Sequence, residues 1–196
     1  MDKQIPQSVL KIYQKIKKGG FEAYLVGGCV RGLLTKHRVE DWDFATNATP
    51  DEIQKIFPGS FYENQFGTVG VATEKQGTVE ITTYRQEGKY VDRRRPETVT
   101  WGKTIEEDLA RRDFTINAIA LQPAGLTHKT PRVIDPFGGQ EDLKAGIIRA
   151  VGDPHARFQE DALRLLRAVR IATQLKFAIE ENLKKIPGRL SSPTII

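Results

Sequence analysis

The sequence predicts an α/β (α+β) fold followed by a helical segment, and three observations predict it. Strand and helix signals alternate over roughly residues 27–150. Two β-branched runs, Thr68–Thr73 and Thr78–Tyr84, are split by Glu74-Lys75-Gln76-Gly77, the pattern of a hairpin. Beyond Asp153 the apolar residues recur at helical spacing, with no strand signal among them.

In chain order, Val9, Leu10, Tyr13 and Ile16, with Ile5 before them, mark an amphipathic first helix that Lys17-Lys18-Gly19-Gly20 closes with cations and a glycine. Ala23–Val26 reads as a short buried strand, and Gly27-Gly28 turns the chain into a helix near Cys29–Leu34. Asp41–Ala45 alternates like a half-buried strand. Thr49-Pro50-Asp51-Glu52 opens a helix, with Thr at the N-cap, Pro at the first turn and Glu completing a capping box. The polar stretch Arg85–Gly102, carrying Arg93-Arg94-Arg95-Pro96, is expected to be a long mobile loop, and such loops inside compact domains usually serve function. Thr104-Ile105-Glu106-Glu107 opens another capped helix, and Arg132–Pro136 is a last strand before a Gly-Gly turn. Asp153-Pro154 caps a helix over Ala156–Gln174 whose apolar stripe is Phe158, Leu163, Leu166, Val169, Ala172 and Leu175. A shorter helix, Ile179–Ile186, ends at Pro187-Gly188.

The composition is globular: of 196 residues 39% are apolar and 28% charged, which excludes disordered, collagen-like and disulfide-stapled chains. Cys29 is the only cysteine, so no intrachain disulfide forms and a reducing compartment suits the chain. The start lacks the apolar stretch of a signal peptide, and no run approaches the roughly 18 apolar residues of a membrane span. A soluble, cytoplasmic protein is expected. The 30 Lys and Arg against 25 Asp and Glu give a net charge of +5, which permits a nucleotide or nucleic-acid partner without requiring one.

Four clusters carry candidate chemistry. Asp41 and Asp43, two apart on a strand, point to one face, and carboxylates held that close favour a neutralising cation such as Mg²⁺. Glu80, between Val79 and Ile81, is a candidate third acid for a two-metal site, though a bare Asp-x-Asp also suits a surface turn. Gly27-Gly28 lets backbone approach a ligand at a helix start, with Arg31 one turn on to reach the same phosphate, or it is an ordinary tight turn. Arg111 and Arg112 suit phosphates, while Asp113 and Asn117, four apart on a helix, suit a ribose hydroxyl; a solvated helix end reads equally well. Asp161 and Arg164, three apart on a helix, can pair into an acceptor-and-donor unit for a nucleobase edge, with Arg167 and Arg170 following toward a triphosphate or RNA backbone. An exposed ion pair on an amphipathic helix would look the same. The three histidines show no metal-ligand spacing.

Taken in order, Gly27-Gly28-Cys29-Val30-Arg31, Asp41-Trp42-Asp43, Glu87–Pro96, Arg111-Arg112-Asp113-Phe114-Thr115-Ile116-Asn117-Ala118 and Glu160–Arg167 resemble the class II tRNA nucleotidyltransferases. These are the CCA-adding enzymes, grouped with bacterial poly(A) polymerases. The resemblance implies a DNA polymerase beta-like head over residues 1–147, with a mixed, mainly antiparallel sheet and flanking helices, then the start of an all-α neck over 148–196. It implies that Asp41 and Asp43 hold catalytic Mg²⁺, with Glu80 as a third carboxylate, and that Gly27, Gly28, Arg31 and Arg112 contact the incoming nucleotide. Asp113 and Asn117 would lie near its ribose, Asp161 and Arg164 would select CTP and then ATP, and Arg167 and Arg170 would bind nucleotide as well. The implied reaction is attack of a tRNA 3′ end on the α-phosphate with loss of pyrophosphate; a poly(A) polymerase or an inactive nucleotide-binding fragment are the alternatives. The loop Asp92–Pro96 resembles the segment that switches C to A specificity. Two departures stand out. Gly32 occupies a position where the family usually has Asp, which loosens the helix by about 1 kcal/mol. The chain also stops soon after the base-selecting helix, which implies a truncated chain, a second chain supplying the tRNA grip, or a short variant.

Overall fold

Leu25 faces Phe44 across two short antiparallel strands, and the sheet grows outward from that pair. The computed structural model describes residues 4–64, 67–87, 99–125, 129–161 and 163–184, and all structural statements concern these. Helix α1 (Gln7–Lys18) buries Val9, Ile12, Tyr13 and Ile16 and ends on lysines, with Gly20 in the left-handed region just beyond. Strand β1 (Tyr24–Val26) leads to α2 (Gly28–Thr35), then β2 (Trp42–Thr46) and α3 (Pro50–Ile56). The predicted capping box of α3 is present: the Thr49 hydroxyl accepts from the Glu52 amide at 3.4 Å, and Glu52 accepts from the Thr49 amide at 2.8 Å.

Strands β3 (Phe61–Asn64), β4 (Thr68–Thr73) and β5 (Gly77–Thr83) form a meander that contains the expected hairpin. Later come β6 (Arg85–Glu87), β7 (Val99–Trp101), the capped helix α4 (Ile105–Ala110), a 3₁₀ turn at Thr115–Asn117, β8 (Ala120–Gln122), β9 (Arg132–Ile134) and α5 (Gly139–Ala145). The main sheet runs β3-β4-β5-β2-β1-β8-β9; every neighbouring pair is antiparallel except β2 with β5. That parallel pair follows from topology, because α3 and the first two strands of the meander intervene between its members.

One face of the sheet carries the larger core, in which Val9, Ile16, Leu25, Phe44, Ile53 and Ile81 are fully buried. Each such side chain contributes about 1.5–3 kcal/mol relative to exposure. On the opposite face a smaller cluster, Val26, Ala45, Tyr84, Ala118 and Ala120 against Ile105 and Leu109 of α4, covers only the β1-β2-β8 end. The β4–β5 half of that face is left for the cleft described below.

Three expectations need correcting. The stretch Arg85–Gly102 is not wholly loop, since its ends pair as the antiparallel ladder β6–β7, with Gln86 opposite Thr100; Arg93-Arg94-Arg95-Pro96 lies outside the described residues. The helix expected over Ala156–Gln174 is two, α6 (Pro154–Glu160) and α7 (Leu163–Leu175). Asp161 breaks it in an extended conformation: its carboxylate accepts from the Leu163 amide at 2.9 Å and its carbonyl from the Arg164 amide at 3.1 Å, as a cap does. The break also shifts the apolar face, so Leu163 and Leu166 are exposed while Ala168, Ile171 and Ala172 are buried. Finally, Ile179 does not start a helix. Ile147–Ile148 (β10) and Ala178–Ile179 (β11) pair in parallel, and only then does α8 (Glu181–Lys184) follow.

Helix α5 shows how tightly the cleft's supports are packed. Asp135 receives the amides of Gly139 at 2.7 Å and Gln140 at 2.8 Å, fixing the helix start. A Cβ on Gly139 would overlap the Thr115 carbonyl oxygen and stand 2.8 Å from Ile119 Cγ1. Gly139→Ala should therefore cost about 1–3 kcal/mol, read as a lower urea midpoint with an unchanged slope. Gly32 has a similar explanation: Val39 Cγ2 fills the space, 2.8 Å from where a Cβ would be, so the segment after α2 packs where an Asp side chain would project.

Candidate active site

Gly27 follows β1 with φ 71° and ψ −133°, a conformation that L side chains rarely adopt, and its carbonyl receives the Arg31 amide at 3.2 Å. A Cβ here would lie 3.2 Å from Arg112 Nη1 and 3.8 Å from Asp43 Oδ2, so the glycine keeps open the gap between a cation and an acid. On β2, Trp42 and Phe44 enter the larger core and Asp43 points the other way. Burial pushes the Asp43 carboxyl above its usual range; Arg112 opposes that and Asp41 adds to it. Asp41 itself is exposed, one residue before the strand. Glu80 stands directly opposite Asp43 in the β2–β5 register.

At the end of α4 the fully buried Asp108 holds both arginines, Arg111 at 2.6 Å and Arg112 at 2.9 Å. Burial alone would raise its carboxyl, but the two guanidiniums and their hydrogen bonds outweigh it and hold it below the usual range. Asp113 and Asn117 do meet, although not on a helix: Asp113 precedes the 3₁₀ turn, and its Oδ1 accepts from the Phe114 amide at 2.8 Å and from Asn117 Nδ2 at 3.1 Å. Its other oxygen takes Arg167 at 2.7 Å, and Arg31 donates to Asn117 Oδ1, so two arginines from distant elements converge on this pair. Arg31 is held below its usual value chiefly by burial, with Asp113 opposing, as for a cation that an incoming anion would favour.

The Asp161–Arg164 pair expected from helical spacing is not the one made. Arg164 is buried and reaches Glu160 at 3.5 Å and the Arg111 carbonyl at 3.3 Å, while Asp161 caps α7. Both nonetheless line one cleft of about 770 Å³. Gly27, Gly28, Arg31, Asp43 and Glu80 line it from the sheet side. Arg112, Asp113 and Asn117 join them from the α4 side, and Arg167 and Arg170 from α7. Of the described residues nominated for the site, Asp41 alone is outside the lining. The cleft thus sets carboxylates on the sheet against a bank of guanidiniums, an arrangement suited to a polyanion carrying a divalent cation.

Residues 23–149 match the poly(A) polymerase head domain. The chain belongs to this family. It is 49% identical over 181 residues to the CCA-adding enzyme of Geobacillus thermodenitrificans (strain NG80-2), a match covering 91% of this chain and 43% of that protein. The crystal structure of the Bacillus stearothermophilus CCA-adding enzyme in complex with CTP superposes with a TM-score of 0.80 at 42% identity, covering 91% of this chain and 41% of the other. A tRNA nucleotidyltransferase complexed with a primer tRNA and an incoming ATP analogue superposes with a TM-score of 0.71 at 35% identity, covering 89% and 48%. The chain spans less than half the length of these relatives.

The mixed sheet with its flanking helices is thus the nucleotidyltransferase head. In this poly(A) polymerase head the motifs leave out Asp108, whose signal is an acid three and four residues before an Arg pair, and Arg85, which lines the cleft from β6. Among the described residues no three His, Cys, Asp or Glu side chains gather closely enough to hold a metal ion, so Glu80 does not complete a three-acid cage with Asp41 and Asp43. Two carboxylates with the rest of the shell from phosphate and water is a normal Mg²⁺ arrangement; here Asp43 lines the cleft, whereas Asp41 stands one residue before β2, outside the lining and not on the strand face expected for it. Among the described residues no helix is long and apolar enough to cross a membrane.

Proposed function

We propose that the chain carries the nucleotide-transferring part of a template-independent RNA nucleotidyltransferase, adding C and A (CCA, or the terminal A) to the 3′ end of tRNA from CTP and ATP. The observation that carries the reading is one cleft lined by Asp43 of β2 together with Arg31, Arg112 and Arg167, in which Gly27 separates Asp43 from Arg112. The CTP complex of one relative and the primer-tRNA and ATP-analogue complex of another support the substrate class.

In this reading Arg31 and Arg112 hold the triphosphate, with Gly28 and the start of α2 closing under it. Asp113 and Asn117, locked by Arg167 and Arg31, present a fixed donor and acceptor pair to the ribose. Asp161 and Arg164 meet the base edge, and Arg170 adds charge at the cleft's α7 wall. Asp41 and Asp43 are the residues that would hold Mg²⁺, which when bound would neutralise charge developing on the transferred phosphate. The RNA 3′-hydroxyl oxygen bonds to the α-phosphorus, the bond from that phosphorus to the bridging oxygen breaks, and pyrophosphate leaves in line. Fixed arginines contribute most, because they are already oriented when charge shifts. The substrate and the buried, lone Cys29 suit a cytoplasmic protein.

Incubation with tRNA lacking its 3′ terminus, CTP, ATP and Mg²⁺, followed by product sequencing, tests this. Added C-C-A, or A on a terminus already ending in C-C, is the expected product. The family match favours one rival, poly(A) synthesis, and a long A tract without C would establish it instead.

A further inference from the structure

Among the described residues, no helix covers the β4–β5 half of the cleft side of the sheet. On β4 and β5 the core-facing residues are Val69, Val79 and Ile81, so the alternating Thr68, Gly70, Thr82 and Glu80 face the cleft side. The Thr68 and Thr82 hydroxyls, 3.1 Å apart, confirm that these two share a face. This surface is small and polar except at its outer edge. There Phe61 of β3 opposes Gly70, Gly70 opposes Glu80, and Glu80 opposes Asp43, one unbroken row across four strands.

The Phe61 ring lies flat over Gly70: three of its atoms stand 2.5–3.0 Å from where a glycine Cβ would be, so only glycine admits the ring there. Phe61 remains 45% exposed although Gly70 beneath it is buried. Gly70 lies two strand spacings from Asp43, about 10 Å, which is roughly the breadth of one nucleotide. Thr68, Thr82 and Glu80 also line the cleft, so the surface runs into it without a break, and Arg85 brings positive charge to the same wall. An exposed ring beside a cationic groove is how proteins hold single-stranded nucleic acid without reading sequence.

We propose that Phe61 is a stacking platform for a base at the single-stranded 3′ end of the RNA acceptor, with the open β4–β5 face as the track that leads its hydroxyl toward Asp43. This rests on the function proposed above and adds the acceptor subsite to it. Neighbouring Tyr62 is equally exposed at 45% but opposes Val69, so it faces the other side of the sheet and serves as the control.

The test titrates the chain with a short single-stranded RNA ending in C-C and carrying a fluorescent cytosine analogue at its last position. CTP and ATP binding with Mg²⁺ is measured in parallel by calorimetry. Phe61→Leu, which keeps apolar cover over Gly70 without a ring, should weaken RNA binding about tenfold and abolish the quenching that stacking produces, with CTP and ATP binding unchanged. Phe61→Trp should retain both signals, and Tyr62→Leu should match the wild type. RNA binding and quenching by Phe61→Leu at wild-type strength, an equal loss in Tyr62→Leu, or no quenching in the wild type would each overturn the subsite. Failure of the wild type to bind CTP or ATP would instead overturn the proposed function, so the two failures are distinguishable.

Discussion

Asp43→Asn should lower pyrophosphate release from CTP or ATP about a thousandfold, equivalent to about 4 kcal/mol of barrier. The residue sits where the cleft needs negative charge, opposite Glu80 on the next strand and facing Arg112 across Gly27. Asparagine keeps the shape and removes the charge, so the arginine wall is left intact. Nucleotide binding without divalent cation should therefore persist, while the gain in affinity that Mg²⁺ brings should vanish in calorimetry. The melting temperature should not fall, because burial already disfavours the ionised carboxylate that the substitution removes. A variant that still responds to Mg²⁺ as the wild type does would remove Asp43 from the site.

Asp108→Ala should be the most damaging single change to stability, costing about 3–5 kcal/mol, because it leaves two guanidiniums without the buried acid that anchors them. Against a total of about 5–15 kcal/mol for a domain, that loss shows as a large drop in urea midpoint. Nucleotide affinity should fall with it, since Arg112 reaches the cleft only while Asp108 holds it. The same contact sets an acid limit. The Asp108 carboxyl is depressed in the folded chain, so its stabilisation is complete above the unfolded value near pH 4 and is lost as pH falls from there through the lower folded value. Wild-type stability should therefore drop as the pH falls below the unfolded value near 4, and the Asp108→Ala chain, weaker at neutral pH, should show a flatter acid profile.

What the sequence displays plainly are features settled within a few residues. The capping boxes at Thr49 and Thr104 and the hairpin around Gly77 depend on neighbours three or four positions away, and all are present. What it hides depends on distant partners. Leu163 through Leu175 is good helix sequence, and nothing in its propensity shows that Asp161 will cap it; the break at Asp161 goes with contacts of Arg164 to Glu160 and to the distant Arg111 carbonyl. The β6–β7 ladder joins Arg85–Glu87 to Val99–Trp101 across intervening polar chain, where periodicity gives no register. The site shows the same division. Residue types that hold phosphate, ribose and cation are visible as motifs, and all but Asp41 line the cleft. Asp113 and Asn117 meet through a turn where a helix was expected, and Asp108 carried no motif because its work is done on other side chains.

The short parallel pairing of Ile147–Ile148 with Ala178–Ile179 bears on the order in which the protein is made. It ties down both ends of the segment that carries Asp161, Arg164, Arg167 and Arg170. During synthesis the sheet, the glycine turn and the acid of β2 leave the ribosome first and can settle early. The arginines of α7 are held in place on this view only after Ile179 has emerged and its strand has docked. Among the described residues, the α7 side of the cleft is thus completed only once residues 178–179 have been made.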